Sequence, residues 1–176
     1  MYPFVRLAYQ MWRHRNDPPL GHDEVHVSRH ICWPWDLDFQ MELNNGRTLT
    51  LYDLGRIPYA KRAGLLDVLK EQGWMLALAG ASVRWRKRVR MFDRIEMRSA
   101  YLGRDERFFY VLQTMWRKGE AVSSLLCRTV ISDANGIVST ERLGQHMPDY
   151  LVDKEMPKWV EDWIAAENGR IWPPEV

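Results

Sequence analysis

A change of period at Gly73 limits what this chain can fold into. From Gly46 to Gln72 apolar residues recur at helical spacing. Leu51, Leu54 and Ile57 share one face, and Ala60, Gly64, Val68 and Leu69 continue it. Pro58 predicts a kink or the start of a second helical piece, and Gly73 follows Lys70 and Glu71 as a terminal residue. Beyond it the pattern is extended. Trp74–Ala81 reads as a buried strand, and Val83, Trp85, Val89 and Met91 alternate in part with arginines, as in strands joined near Arg86–Arg88. Ile95 and Met97 continue the extended character to a turn at Gly103 and Asp105. Phe108–Trp116 and Ala121–Ile131 are further strands, joined at Lys118-Gly119-Glu120 and closed by Asp133-Ala-Asn-Gly136. One substantial helix precedes several antiparallel strands, so that helix is the available cover for the sheet's apolar face. The fold class is α+β.

The flanks add smaller pieces. Residues 1–15 read as a short amphipathic helix, with Val5, Leu7, Ala8, Met11 and Trp12 apolar and Arg6, Arg13 and Arg15 basic. Packing on its own domain or dimer is the expected use of that apolar face, with weak contact to an anionic membrane surface as the sharper alternative. Pro18 and Pro19 mark a linker, Glu24–Cys32 alternates as a half-buried strand, and Pro34 stops its pairing. Pro148 and Pro157 bracket an acidic segment. Trp159, Val160, Trp163 and Ile164 outline a C-terminal helix, and Pro173-Pro174 ends the ordered part. The expected division is an extension over 1–21, a domain over 22–144 and a second extension over 145–176.

Composition excludes several functions. The 25 basic and 23 acidic residues leave a formal charge of +2, too balanced to advertise nucleic acid. No stretch approaches the length of a spanning helix, and the start lacks the form of a signal peptide. Cys32 and Cys127 have no metal-ligand pattern and read as reduced thiols of a cytoplasmic protein. His22, His26 and His30 recur every four residues, but their strand-like flanks argue against a zinc helix, and no metal or cofactor is expected. Nine tryptophans point to a large apolar surface, in the core or at an interface. There is no Gly-x-Ser-x-Gly elbow around Ser123-Ser124, no phosphate loop and no dinucleotide fingerprint.

The stretch that carries chemistry is Trp35-Asp-Leu-Asp-Phe-Gln-Met-Glu-Leu-Asn-Asn45, between the first strand and the main helix. Asp36, Asp38 and Glu42 lie just ahead of a helix N-terminus, where exposed amides stabilise carboxylates and can polarise a carbonyl. Asn44 or Asn45 can cap that helix. The arrangement suits hydrolysis of an activated acyl group, above all a thioester, whose thiolate leaves readily. A turn-and-cap role for Asp36, Asp38 and Asn45 is the plainer alternative.

This stretch resembles the Asp-x-Asp-x-x-Gly-His-x-Asn-Asn motif of hot-dog-fold thioesterases, in the 4-hydroxybenzoyl-CoA and long-chain acyl-CoA thioesterase group. The likeness is closer to thioesterase-like proteins of the THEM type. It runs through Pro34-Trp-Asp-Leu-Asp38, Leu43-Asn-Asn-Gly-Arg47 and Leu51-Tyr-Asp-Leu-Gly-Arg56, and element order extends it to about Val138. The resemblance implies a hot-dog fold, an antiparallel sheet wrapped around a long central helix with short terminal helices. It implies an acyl-CoA or acyl-carrier thioester as substrate and a homodimer or homotetramer. Asp38 would be the nucleophile or general base, with Asp36 a supporting group. Asn45 would cap the helix, and Asn44 would fix the loop or contact the acyl portion. Met41-Glu42 stands where the family has Gly-His, and Glu42 would place negative charge near a developing oxyanion or act as a second base. A non-catalytic acyl-CoA or acyl-carrier binding module is therefore the alternative.

Seven basic residues between Arg84 and Arg98, against Asp93 and Glu96, leave a local excess of five positive charges. Arg84, Arg86, Arg88 and Arg90 would share one side of a continuous strand and could meet CoA phosphates; a turn within the run would break that pattern. Tyr52 is a candidate lining residue for the acyl portion, or ordinary core.

Overall fold

The computed structural model describes residues 2–152, 154–171 and 173. Met1 and Pro174, included in the expectations for the two ends, lie outside them, as does Asp153 of the acidic segment. The elements are α1 (Phe4–Arg13), β1 (His26–Ile31), α2 (Asn45–Arg62), α3 (Leu65–Gln72), β2 (Met75–Trp85), β3 (Arg94–Arg104), β4 (Phe109–Arg117), β5 (Glu120–Asp133), β6 (Gly136–Val138), α4 (Thr140–Gly144) and α5 (Lys158–Asn168). The sheet order is β1-β3-β4-β5-β2, with β6 paired to β5 and every pairing antiparallel. This curled sheet around α2 is the hot-dog arrangement.

The main helical segment breaks later than its proline suggested. Pro58 lies inside α2, and the break falls at Ala63-Gly64, where Gly64 takes φ +80°. That left-handed backbone ends one helix and sets the direction of the next, and it favours glycine. Leu51, Tyr52 and Leu54 of α2 are fully buried against the sheet. Each contributes about 1.5–3 kcal/mol by leaving water. The helix comes close to the sheet at Gly55, where an added Cβ would sit 2.6 Å from Met97 Sδ and 3.1 Å from Ser28 Oγ.

The strands alternate as a sheet with one covered face should. Ile95, Met97, Ser99 and Tyr101 of β3 point inward, while Arg94 and Arg98 point out. The apolar run expected to form a buried strand is instead the sheet's edge. β2 pairs with β5 on one side only, and most of it is exposed. Hydrophobicity alone does not separate a central strand from an edge that meets another chain. On the outer face α5 buries Val160 with Tyr110 and Leu126, and Trp163 and Ile164 pack on the same cluster.

The other edge is sealed. α1 lies beside α2, and its side chains cap the free carbonyls of β1. Gln10 Nε2 donates to Arg29 O at 3.0 Å and Arg6 Nη2 donates to Ile31 O at 2.9 Å. The expected orientation of α1 is thus largely reversed. Leu7 packs on the core, but Val5, Ala8 and Trp12 face outward while Arg6 and Gln10 face in.

His26 and His30 project from β1 into the protein. Arg62 Nη1 stands 3.1 Å from His26 Nδ1. A guanidinium can only donate, so Nδ1 accepts and the ring is neutral. Burial, then the charges of His14 and Arg62, lowers the His26 pKa to about 4, against the raising effect of Asp17. Burial, then Arg6, His14 and His26, lowers that of His30 to about 3. Both folded-state values lie below the unfolded one, so the unfolded chain binds protons first. Stability is full above pH ~6.5 and falls as pH drops toward the folded values. Urea unfolding between pH 7 and 4 is expected to show this fall, with His26 alone contributing roughly 3 kcal/mol, and His26→Gln is expected to flatten the slope.

Candidate active site

The loop after β1 is organised by Asp36. Pro34 opens a single 3-10 turn, Pro34–Asp36, that carries this carboxylate into the protein, where it is fully buried. Asp36 Oδ2 accepts from Arg6 Nη1 at 2.7 Å and from the Trp33 amide at 3.0 Å. Oδ1 accepts from Arg47 Nη2 at 2.8 Å and Nε at 3.2 Å. Burial pushes its pKa up, but the Trp33 amide and the two guanidiniums outweigh it, and the net direction is down. Asp36 is an anion committed to three elements, α1, the loop and α2.

Asp38 shapes the next turn. Its Oδ1 accepts from the Gln40 amide at 2.8 Å and the Glu42 amide at 3.4 Å, and its own amide donates to Glu42 O at 2.8 Å. Met41 stands in this turn with φ 60°, a left-handed backbone at the position where the thioesterase motif has glycine. Leu37 and Leu43 bridge the base of the turn. Asn44, not Asn45, is the cap: its Oδ1 accepts from the Arg47 amide at 3.1 Å, while Asn45 is the exposed first residue of α2.

A cleft of about 200 Å³ opens at this end of α2. Glu42, Asn45 and Thr48 line one wall; Arg86, Arg88 and Ser123 line the other. Glu42 is half-buried, and Arg88 Nη1 lies 3.1 Å from its Oε1. The cleft lining includes Glu42 but not Asp38. Tyr52 is buried, with its hydroxyl 2.7 Å from Ser123 Oγ, and burial pushes its pKa up. It supports the wall from within rather than facing the cleft.

The arginine run does not form one strand face. Val122 O accepts from both the Arg86 and Lys87 amides, at 2.8 and 3.1 Å, and turns the chain out of the sheet after Trp85. Arg84 stays on the exposed edge strand, and Arg86 and Arg88 reach the cleft. Arg90 forms a backbone bridge with Glu42 and shares a basic hollow with Arg88, Arg117 and Lys118. Sequence reasoning did not single out Arg6, Arg47 or Thr48 for the site. Arg47 had a signal, at three residues past the helix cap; Arg6 lies thirty residues from its carboxylate and had none.

A curled antiparallel sheet around a helix, with a carboxylate-bearing loop at that helix's N-terminus, defines a hot-dog protein of the thioesterase kind. The chain belongs to the thioesterase-like superfamily, whose family model matches residues 32–164. It is 31% identical to Protein THEM6 of Xenopus laevis over 169 residues, covering 94% of this chain and 80% of that protein. Protein THEM6 of Danio rerio is 27% identical over 95 residues, 53% of this chain and 47% of the fish protein. Among solved structures, the probable thioesterase YbaW of Escherichia coli has a TM-score of 0.66 at 14% identity, covering 72% of this chain and 99% of its own. The DHNA-CoA thioesterase of Staphylococcus aureus has a TM-score of 0.62 at 14% identity, covering 84% and 96%. SAV2348 of Staphylococcus aureus, solved in complex with CoA, has a TM-score of 0.62 at 8% identity, covering 78% and 90%. At these identities the structures establish the fold. Family membership supports binding and hydrolysis of acyl thioesters as the superfamily's chemistry.

Asp36→Asn leaves two guanidiniums facing a neutral group in the interior, and is expected to cost about 3 kcal/mol or more. Asp38→Asn retains an oxygen for the loop amides and is expected to cost well under half as much. Urea unfolding of the two variants beside wild type measures the difference.

Proposed function

We propose that this chain hydrolyses an acyl thioester, an acyl-CoA in the first instance, at the cleft beside the α2 N-terminus. The observation that carries the reading is Glu42, a carboxylate lining that cleft against Arg86, Arg88 and the first turn of α2. Water attacks the thioester carbonyl carbon, Glu42 takes its proton, the C–S bond breaks and the thiolate leaves. The N-terminal turn of α2 favours the negative charge that develops on the carbonyl oxygen. Arg86 offers a planar fork to a phosphate of CoA, while Arg88 stays with Glu42. Asp38 holds the turn that presents Glu42 and is the second candidate for the base. Asp36, buried between two arginines, takes no part in proton transfer.

The charge of Glu42 would oppose an oxyanion if it stood alone. Arg88 at 3.1 Å balances it, so the glutamate can occupy the place of the family's histidine. We further propose a homodimer paired through the open β2 edge, which would satisfy its free backbone groups and bring a partner's residues to the cleft. Two buried free cysteines support a reducing, cytoplasmic setting for this reaction. A second reading, a module that binds acyl thioesters without cleaving them, draws on one observation. Asp38 Oδ1 is engaged by loop amides and Glu42 by Arg88, so each carboxylate has a partner.

The test is thiol release from short, medium, long and aromatic acyl-CoAs by wild type, Glu42→Gln and Asp38→Asn. Glu42→Gln is expected to lower kcat about a hundredfold or more, with the fold intact by circular dichroism. A larger loss in Asp38→Asn than in Glu42→Gln would transfer the base to Asp38. Binding of acyl-CoA without thiol release by wild type would establish the second reading.

A further inference from the structure

α1 is an amphipathic helix turned inside out. Its polar residues Arg6 and Gln10 face the protein, where they hold Asp36 and the β1 carbonyls. Its apolar residues face solvent: Phe4 is 70% exposed, Val5 85%, Tyr9 50% and Trp12 58%. The side that packs carries Arg6 and Gln10 beside Leu7, so packing on the domain leaves these four apolar side chains uncovered.

Beside this face runs a groove of about 950 Å³, along the β1 edge and onto the outer side of β3 and β4. Arg13, Arg29, Arg94 and Lys118 line it. Glu96 is the sole carboxylate among its described lining residues, and it is paired with Arg98 at 2.8 Å. The groove thus carries a marked excess of positive charge directly next to exposed aromatic and aliphatic side chains. Arg15 extends the basic rim, its guanidinium 4.4 Å from the centre of the Trp12 ring.

We propose that α1 and this groove dock the protein on an anionic lipid surface. Phe4, Val5 and Trp12 enter the boundary between headgroups and acyl chains, and lipid phosphates occupy the groove among the arginines. Charge decides between this occupant and a second copy of the chain. Two copies meeting here would oppose like charges around an apolar strip of one ten-residue helix, far smaller than a stable protein interface requires. A bilayer supplies apolar depth and phosphate charge together. The β1 edge lies across the sheet from β2, so docking leaves the β2 edge free.

The test is flotation of the full chain with vesicles of phosphatidylcholine and phosphatidylserine in equal amounts, and with phosphatidylcholine alone. Wild type is expected to float with the mixed vesicles and to bind phosphatidylcholine at least about tenfold more weakly. Val5→Glu with Trp12→Glu alters outward side chains only, and is expected to lower binding to mixed vesicles by about tenfold or more. Arg13→Glu with Arg94→Glu is expected to lower it by a similar factor and to leave phosphatidylcholine binding unchanged. Circular dichroism and light scattering without lipid accompany each variant. The proposal is overturned if wild type stays with the soluble fraction, or if the Val5 and Trp12 changes leave flotation intact. It is also overturned if those changes dissociate an oligomer in the absence of lipid, which would give the face to a second copy.

Discussion

The carboxylate of Asp36, buried between Arg6 and Arg47, is the contact on which the site depends. Burying a charge is costly, and here the cost is met by two guanidiniums and a backbone amide that converge from α1, α2 and the loop itself. Such an arrangement adds little net stability over an apolar filling of the same volume, but it tolerates few alternative geometries. Arg47 is three residues past the cap Asn44, so fixing its guanidinium fixes the first turn of α2. The backbone of Asp36 accepts from the Asn44 amide as well, tying the start of the loop to its end. The turn that carries Asp38, Met41 and Glu42 is suspended between those two anchored points.

The same contact links the site to the edges of the sheet. Arg6 bonds both Asp36 and the Ile31 carbonyl, so the side chain that completes the buried ion cluster also seals β1. This explains the reversed orientation of α1. A helix that must deliver a guanidinium and an amide to the protein has its polar stripe inward, and its apolar stripe is left to solvent or to whatever covers it. At the opposite edge β2 has no such cover among the described elements. One edge is closed by side chains from the same chain, and the other stays open.

Much of the fold was legible because period and punctuation report local structure directly. The change at Gly73, the turns at Lys118-Gly119 and Asp133–Gly136, and the carboxylate-rich stretch before α2 all mark real boundaries. What was not legible depends on contacts remote in sequence. Trp74–Ala81 has the composition of a central strand, and only its pairing with β5 on one side reveals an edge. The apolar stripe of α1 could be read, but the side facing the protein is decided by Asp36, thirty residues away. In the segment from Gly46 to Gln72, Pro58 was the obvious breaker. The helix instead absorbs it and ends where Gly64 provides a left-handed backbone.

The arginine run shows how a local reading can be corrected by one backbone contact. As a continuous strand, alternation would have kept Arg84, Arg86 and Arg88 on one sheet face. Two amides bonding the Val122 carbonyl turn the chain instead, and Arg88 is carried round to Glu42. This makes the departures from the family motif intelligible together. Met41 takes the left-handed backbone that glycine would have adopted without strain, in the turn that leads to Glu42. An unpaired glutamate there would repel a developing oxyanion. Paired with Arg88, it stands in the cleft with its charge balanced, beside Arg86. The turn after Trp85 and the substitution at Glu42 are therefore one structural solution, because the arginine that makes the glutamate tolerable reaches it only where the strand ends.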